Sequence, residues 1–216
     1  MNARVLLADD HALMREGLRS ILERDAALEV VGEAGSGLEA VQLCKELSPD
    51  IVIMDVAMDD LNGVEATRRI LGRQNGIRIV ALSSHNDSRF IAEMLRAGAA
   101  AYVLKENAYS ELRRALKAVQ RGDTYLCPAA AGQAANLIRD SESGPGTPWQ
   151  SLGPREREVL QLIAEGHSTP DIAERLCISA NTVDTHRRNI MRKLELHNVV
   201  ELTRYAIREG LTRVDD

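Results

Sequence analysis

Five short apolar runs punctuate the first half of the chain: Val5-Leu6-Leu7-Ala8, Val30-Val31-Gly32, Ile51-Val52-Ile53-Met54, Ile79-Val80-Ala81-Leu82 and Ala101-Tyr102-Val103-Leu104. Four of them are nearly continuous in apolar residues. That pattern suits strands of a parallel sheet buried on both faces. The stretches between them carry helical periodicity. Met14, Leu18, Ile21 and Leu22 fall at i, i+4, i+7 and i+8 and give one apolar face. Residues 35–46, 63–71, 87–97 and 109–121 fill the remaining gaps. Alternation repeated five times predicts an α/β domain over residues 1–122, built on a doubly wound open sheet.

Residues 123–148 break that rhythm. Pro128 through Ile138 predicts one short helix, and the polar Gly/Pro stretch that follows, to Pro148, reads as a flexible linker. Residues 149–216 read as helical throughout. Gly153-Pro154 opens a helix that Gly166 closes. Thr169-Pro170 opens a second, running through Leu176. Ser179 caps a third, through Leu194, and a fourth runs from Val199 to about Glu209.

Composition excludes several classes. Of 216 residues, 44% are hydrophobic and 27% charged, as in an ordinary globular protein. Aromatics are only 3%, so a ring-lined platform for sugars or stacked bases is not expected. No apolar stretch approaches the ~20 residues of a membrane helix, and the start lacks the apolar segment of a signal peptide. Cys44, Cys127 and Cys177 are widely spaced, which suits a reducing cytosol rather than a disulfide framework or a zinc cluster. The net charge of −5 argues against a globally basic nucleic-acid binder. Yet His186, Arg187, Arg188, Arg192 and Lys193 crowd one short stretch of a nearly neutral segment. Such a local basic stripe can serve DNA.

In a doubly wound sheet, the loops after the strands build the site. Asp9-Asp10 follow the first strand, Asp55 the third; Ser83 ends the fourth, and Lys105 ends the fifth, with Tyr102 inside it. Three carboxylates at strand ends form a hard oxygen site suited to Mg²⁺. A cation of that kind neutralises a phosphoryl group during transfer, and Lys105 adds a point charge for the same oxygens. A carboxylate in this setting can itself be a nucleophile and form an aspartyl phosphate. Any one of these acids alone is more simply a helix cap or a solvated loop residue; the set is what points to chemistry.

Residues 4–121 resemble the receiver domain of two-component response regulators. The matching residues are Asp9-Asp10-His11, Ile51-Val52-Ile53-Met54-Asp55, Leu82-Ser83 and Tyr102-Val103-Leu104-Lys105. The resemblance implies a flavodoxin-like (βα)5 fold, with Asp55 as phosphoacceptor from a sensor histidine kinase. It implies Mg²⁺ held by Asp10, Asp55 and the backbone carbonyl of Ala57, with Asp9 acting mainly through water. It makes Ser83 and Tyr102 a switch pair and Lys105 the phosphoryl contact. One departure is Asp59, where relatives usually carry Pro; it adds negative charge and loosens its loop.

The second and third predicted helices of the last segment form helix-turn-helix geometry across Cys177-Ile178-Ser179. Val183, Ile190 and Leu194 share one face of the third helix. Asn181, Asp184, Thr185, Arg188 and Arg192 share another, as a major-groove reading helix requires. Arg188 is suited to guanine edges or a phosphate, and Thr182, His186, Arg192 and Lys193 to phosphates. The bland reading of this run is a solvated helix face. Residues 152–211 also resemble the LuxR/NarL-type helix-turn-helix, through Pro154-Arg155-Glu156-Arg157-Glu158-Val159-Leu160, Ile172-Ala173-Glu174-Arg175-Leu176, Thr182-Val183, Thr185-His186 and Ile190-Met191-Arg192-Lys193-Leu194. This resemblance implies a C-terminal four-helix DNA-binding domain, with base-reading positions at Asp184, Thr185 and Arg188. The fourth helix, with Val199, Val200, Leu202, Tyr205 and Ala206, is then where copies dimerise or is plain core. Asp184 replaces a usual Lys, Cys177 a usual Gly, and Gly153 a usual Thr or Ser cap.

Together these features predict a cytoplasmic response regulator of NarL/FixJ type. Phosphorylation of Asp55 would switch it, and it would bind double-stranded promoter DNA as a homodimer. One rival is a phosphatase with an Asp nucleophile, but Ala57 stands where such enzymes carry a second acid. Another is a regulator whose receiver is a phosphorylation-independent interaction module.

Overall fold

The computed structural model describes residues 2–74, 76–84, 88–140, 148–209 and 211–212, without the side chains of 89, 137–140 and 150. The chain divides into two compact units, Met1–Ser143 and Gly144–Asp216.

In the first unit the five apolar runs form β1 (Ala3–Ala8), β2 (Leu28–Ala34), β3 (Ile51–Asp55), β4 (Arg78–Ser83) and β5 (Ala101–Leu104). The intervening helices are α1 (Ala12–Leu22), α2 (Gly37–Leu47), α3 (Gly63–Leu71), α4 (Ser88–Ala97) and α5 (Ala108–Gln120). These five strands pair in parallel, in the order β2-β1-β3-β4-β5. Alternate residues face opposite layers, as pleating demands. Leu6, Val52, Met54, Ile79, Ala81 and Tyr102 belong to the core on one face. Val5, Leu7, Ile53, Val80, Leu82 and Val103 pack on the other, with Leu18, Leu112 and Leu116 of α1 and α5.

The sheet has a sixth strand that the apolar pattern did not announce. β6 (Tyr125–Leu126) pairs with Ala101 and Tyr102 of β5. It is followed by α6 (Pro128–Asp140), and Cys127 and Ala130 are buried in the same core as Tyr102. Residues 125–130 therefore complete the sheet edge and its core, where composition alone suggested a connection. The polar stretch 141–147, expected as a flexible linker, lies outside the described residues.

In the second unit, a 3₁₀ turn (Pro148–Ser151) precedes α7 (Pro154–Ala164), α8 (Thr169–Arg175), α9 (Ala180–Leu194) and α10 (Val199–Arg208). Leu152, Val159, Leu160, Ile172, Val183, Ile190, Leu202 and Ala206 make its core. Caps fix three helix starts: Ser168, Ser179 and Asn198 accept hydrogen bonds from the backbone N–H groups of Asp171, Thr182 and Glu201. α7 starts at Gly153, which has no side chain to offer. There Glu156 reaches back to accept the Gly153 N–H at 2.8 Å, the reciprocal half of a capping box.

Candidate functional site

The register of the sheet assembles the acidic pocket. Ala8 lies level with Met54, Asp55 with Leu82, and Ser83 with Leu104. The residues that follow or end these strands, Asp9, Asp55, Ser83 and Lys105, therefore emerge side by side at one edge. Asp9, Asp55 and Ser83 are each only 1% exposed. Lys105 Nζ stands 2.7 Å from Asp55 Oδ2 and 2.7 Å from Asp9 Oδ2. Asp9, Asp10, His11 and Asp55 each bring one ligand atom into a group spanning no more than 4.8 Å. His11 also donates its backbone N–H to Asp9 Oδ1 at 2.9 Å, and its ring sits against Asp10.

Three carboxylates face one ammonium here. Burial pushes the Asp55 carboxyl up, and Lys105 pulls it back only in part against Asp9 and Asp10; the outcome is about 6. The pocket thus carries uncompensated negative charge. Asp9 Oδ2 and Asp10 Oδ1 are buried, the first ion-paired with Lys105 and the second against the His11 ring, so one ammonium and one imidazole serve three carboxylates. A hard cation satisfies that kind of oxygen.

Two features of the pocket went unread in the sequence. Arg15, one turn into α1, donates to the backbone oxygen of Asp9 at 2.6 Å and pairs with Glu33 at 3.2 Å. As one of two arginines on an amphipathic helix it gave no signal. Gly63 is the other. A Cβ there would meet the backbone oxygen of Asp55 at 2.0 Å, while the Gly63 N–H donates to Val56 O at 3.0 Å. The loop from Val56 to Asn62 folds back onto the strand end only because this residue has no side chain. Within it Asp60 has φ 64, and Asp59 is exposed. Ala57 sits in the same loop, its N–H 3.3 Å from Asp55 Oδ1. Tyr102 is fully buried in the core beneath the pocket.

The second surface is the outer face of α9. Val183, Ile190 and Leu194 are buried, while Asn181, Thr182, Thr185, Arg188 and Arg192 are exposed. Thr185 donates to Asn181 O at 2.9 Å, Arg188 to Asp184 O at 3.3 Å, and Arg192 to Asn189 Oδ1 at 3.0 Å. Asp184 pairs with Arg187 at 3.3 Å. His186 is half-buried on the flank. Lys193 is engaged elsewhere: its ammonium pairs with Glu156 at 2.6 Å and donates to Ser151 O at 3.0 Å. Burial would raise the Glu156 carboxyl, but hydrogen bonds from Lys193 and from the Gly153 N–H outweigh it and hold the group below its usual range. Lys193 thus ties the end of α9 to the start of α7. On α10, Leu202, Tyr205 and Ala206 are core, while Val199 and Val200 stay exposed.

A parallel sheet with an acidic pocket at its strand ends, followed by a helix-turn-helix unit, defines a phosphorelay-type DNA-binding regulator. Comparison with known proteins agrees. Residues 5–117 match the family model of the response regulator receiver domain. Residues 150–206 match that of the bacterial regulatory proteins of the luxR family. The transcriptional regulatory protein LiaR of Bacillus subtilis is 39% identical over 208 residues, covering 96% of this chain and 98% of LiaR. The response regulator UvrY of Escherichia coli is 37% identical over 211 residues, covering 98% and 96%. Among solved structures, RcsB of Salmonella enterica serovar Typhimurium, bound to promoter rprA with the phosphomimetic BeF3⁻, superposes with a TM-score of 0.66 at 26% identity. That match covers 95% of this chain and 98% of RcsB. The chain belongs to the two-component response regulators of NarL/FixJ type, with a receiver domain and a LuxR-type DNA-binding domain. Among the described residues, no helix is long and apolar enough to cross a membrane.

Proposed function

We propose that Asp55 accepts a phosphoryl group from a sensor histidine kinase, and that the modified cytoplasmic protein binds promoter half-sites as a homodimer. In this reading the receiver occupies residues 1–122, with β6 and α6 completing its sheet edge and core, and the DNA-binding domain residues 149–216. The observation that carries it is the buried Asp9–Lys105–Asp55 cluster at adjacent strand ends. A carboxylate oxygen of Asp55 attacks phosphorus. The bond from phosphorus to the donor imidazole nitrogen breaks, and its electron pair stays on that ring. Lys105, already 2.7 Å from Asp55 Oδ2, then holds a phosphoryl oxygen in place of the carboxylate.

Asp10, Asp55 and the carbonyl of Ala57 would hold Mg²⁺, with Asp9 acting through water. The converging oxygens of Asp9, Asp10 and Asp55 and the excess negative charge fit that ion. When bound, it neutralises charge on the transferring group. Ser83, at the neighbouring strand end, offers its hydroxyl to the new oxygens, and Tyr102 fills the space beside it. The switch shifts a pre-existing equilibrium toward the DNA-binding form. On α9, Asn181, Thr182, Thr185, His186, Arg188 and Arg192 face the duplex; Val199 and Val200 of α10 offer apolar surface to a second copy. Labelling with radioactive acetyl phosphate tests the acceptor: the wild-type chain takes up label and Asp55→Ala does not. Retained label in that variant would contradict the assignment.

A further inference from the structure

We infer that Asp184 reads a base, and that it selects cytosine at one position of each half-site with Arg187 cancelling its charge. This rests on the DNA-binding reading of α9. Asp184 lies in the first half of that helix, on the edge of the exposed stripe formed by Asn181, Thr185 and Arg188. In a helix-turn-helix, that half of the second helix meets the base edges. An acid there is costly by default, because every phosphate of the duplex repels it.

The structure supplies the compensation. Arg187 Nη2 is 3.3 Å from Asp184 Oδ1, one turn along the same edge, and the two side chains are 38% and 43% exposed. The pair is neutral as a unit, and its partly exposed carboxylate remains open to a donor. Arg188 does not compete for it, since its Nε donates to the backbone oxygen of Asp184 and its Nη2 lies 3.5 Å from Thr185 Oγ1.

The major-groove code then narrows the choice. Guanine offers N7 and O6 and thymine O4, all acceptors that repel a carboxylate. Adenine has an amino donor but places the N7 lone pair beside it, against the second carboxylate oxygen. Cytosine presents its N4 amino group with no acceptor next to it on the same base.

Selection from random oligonucleotides by the full-length chain, with Mg²⁺ and beryllofluoride, tests this. The wild type enriches cytosine at one position of each half-site. Asp184→Ala makes that position degenerate, and Asp184→Asn moves it to adenine, whose N6 and N7 an amide pairs. In competition binding, replacing that cytosine weakens the wild type by about tenfold or more, and Asp184→Ala by less than about threefold. Arg187→Met weakens binding to any duplex about tenfold in the wild type, but under about threefold when combined with Asp184→Asn. Identical base preferences for all three residue-184 forms would overturn the inference. Equal losses for Arg187→Met in both backgrounds would overturn the role of Arg187. If the wild type enriches no sequence at all, the DNA-binding reading itself falls.

Discussion

The acidic pocket and the reading helix solve opposite problems. The pocket gathers charges that resist being together: three carboxylates around one ammonium, two of them almost wholly buried, on backbone that closes only because Gly63 lacks a side chain. The reading helix spreads its charges over an exposed face and settles them locally, Asp184 on Arg187 and Arg192 on Asn189. A buried site is therefore set by the fold, and changing one atom there alters stability and chemistry together. An exposed face is set by composition, and its residues can be exchanged nearly one at a time. Crowded, buried charge marks the first surface; exposed, locally paired charge marks the second.

The sharpest way to break this contrast is Gly63→Ala. The added Cβ meets backbone, not a flexible side chain, so the first unit should lose about 3 kcal/mol or more in denaturant unfolding. An effect under about 1 kcal/mol would show that the loop moves aside freely. Next comes pH. Asp55 is raised from 3.8 to about 6, so the native state binds more protons than the unfolded chain in that window. Stability contributed by this group must then fall as pH rises from about 4 through 6. Compared with Asp55→Asn in chelator, the wild type should lose about 2 kcal/mol across that span, and Mg²⁺ should restore part of it. Parallel curves for the two proteins would remove the charge crowding from the account. The smallest effect belongs to the second unit. Cys177 turns between α8 and α9 at φ 52, which strains a residue with a Cβ. Relief of about 1–2 kcal/mol, less the greater unfolded entropy of glycine, leaves Cys177→Gly about 0.5–1 kcal/mol more stable. Thermal melts of the full chain read it directly.

The same contrast explains what the sequence made legible. Asp9, Asp10, Asp55, Ser83 and Lys105 could be placed because apolar runs mark strands and strands end where those runs end. β6 could not, since two residues show no alternation; its existence rests on pairing with Ala101 and Tyr102. Arg15 and Gly63 were invisible for related reasons. One acts on a backbone oxygen and the other through an absent atom. On α9 the periodicity separated buried from exposed residues correctly. It could not tell that Lys193, which shares the basic run, spends its charge on Glu156, 37 residues earlier.

The link between the two regions is the central claim, and DNA affinity measures it. Titration of a selected duplex with the full-length protein, with and without beryllofluoride and Mg²⁺, should show binding tightened about tenfold or more for the wild type and unchanged for Asp55→Ala. Equal affinities with and without the mimic in the wild type, or the same tightening in the variant, would contradict the account.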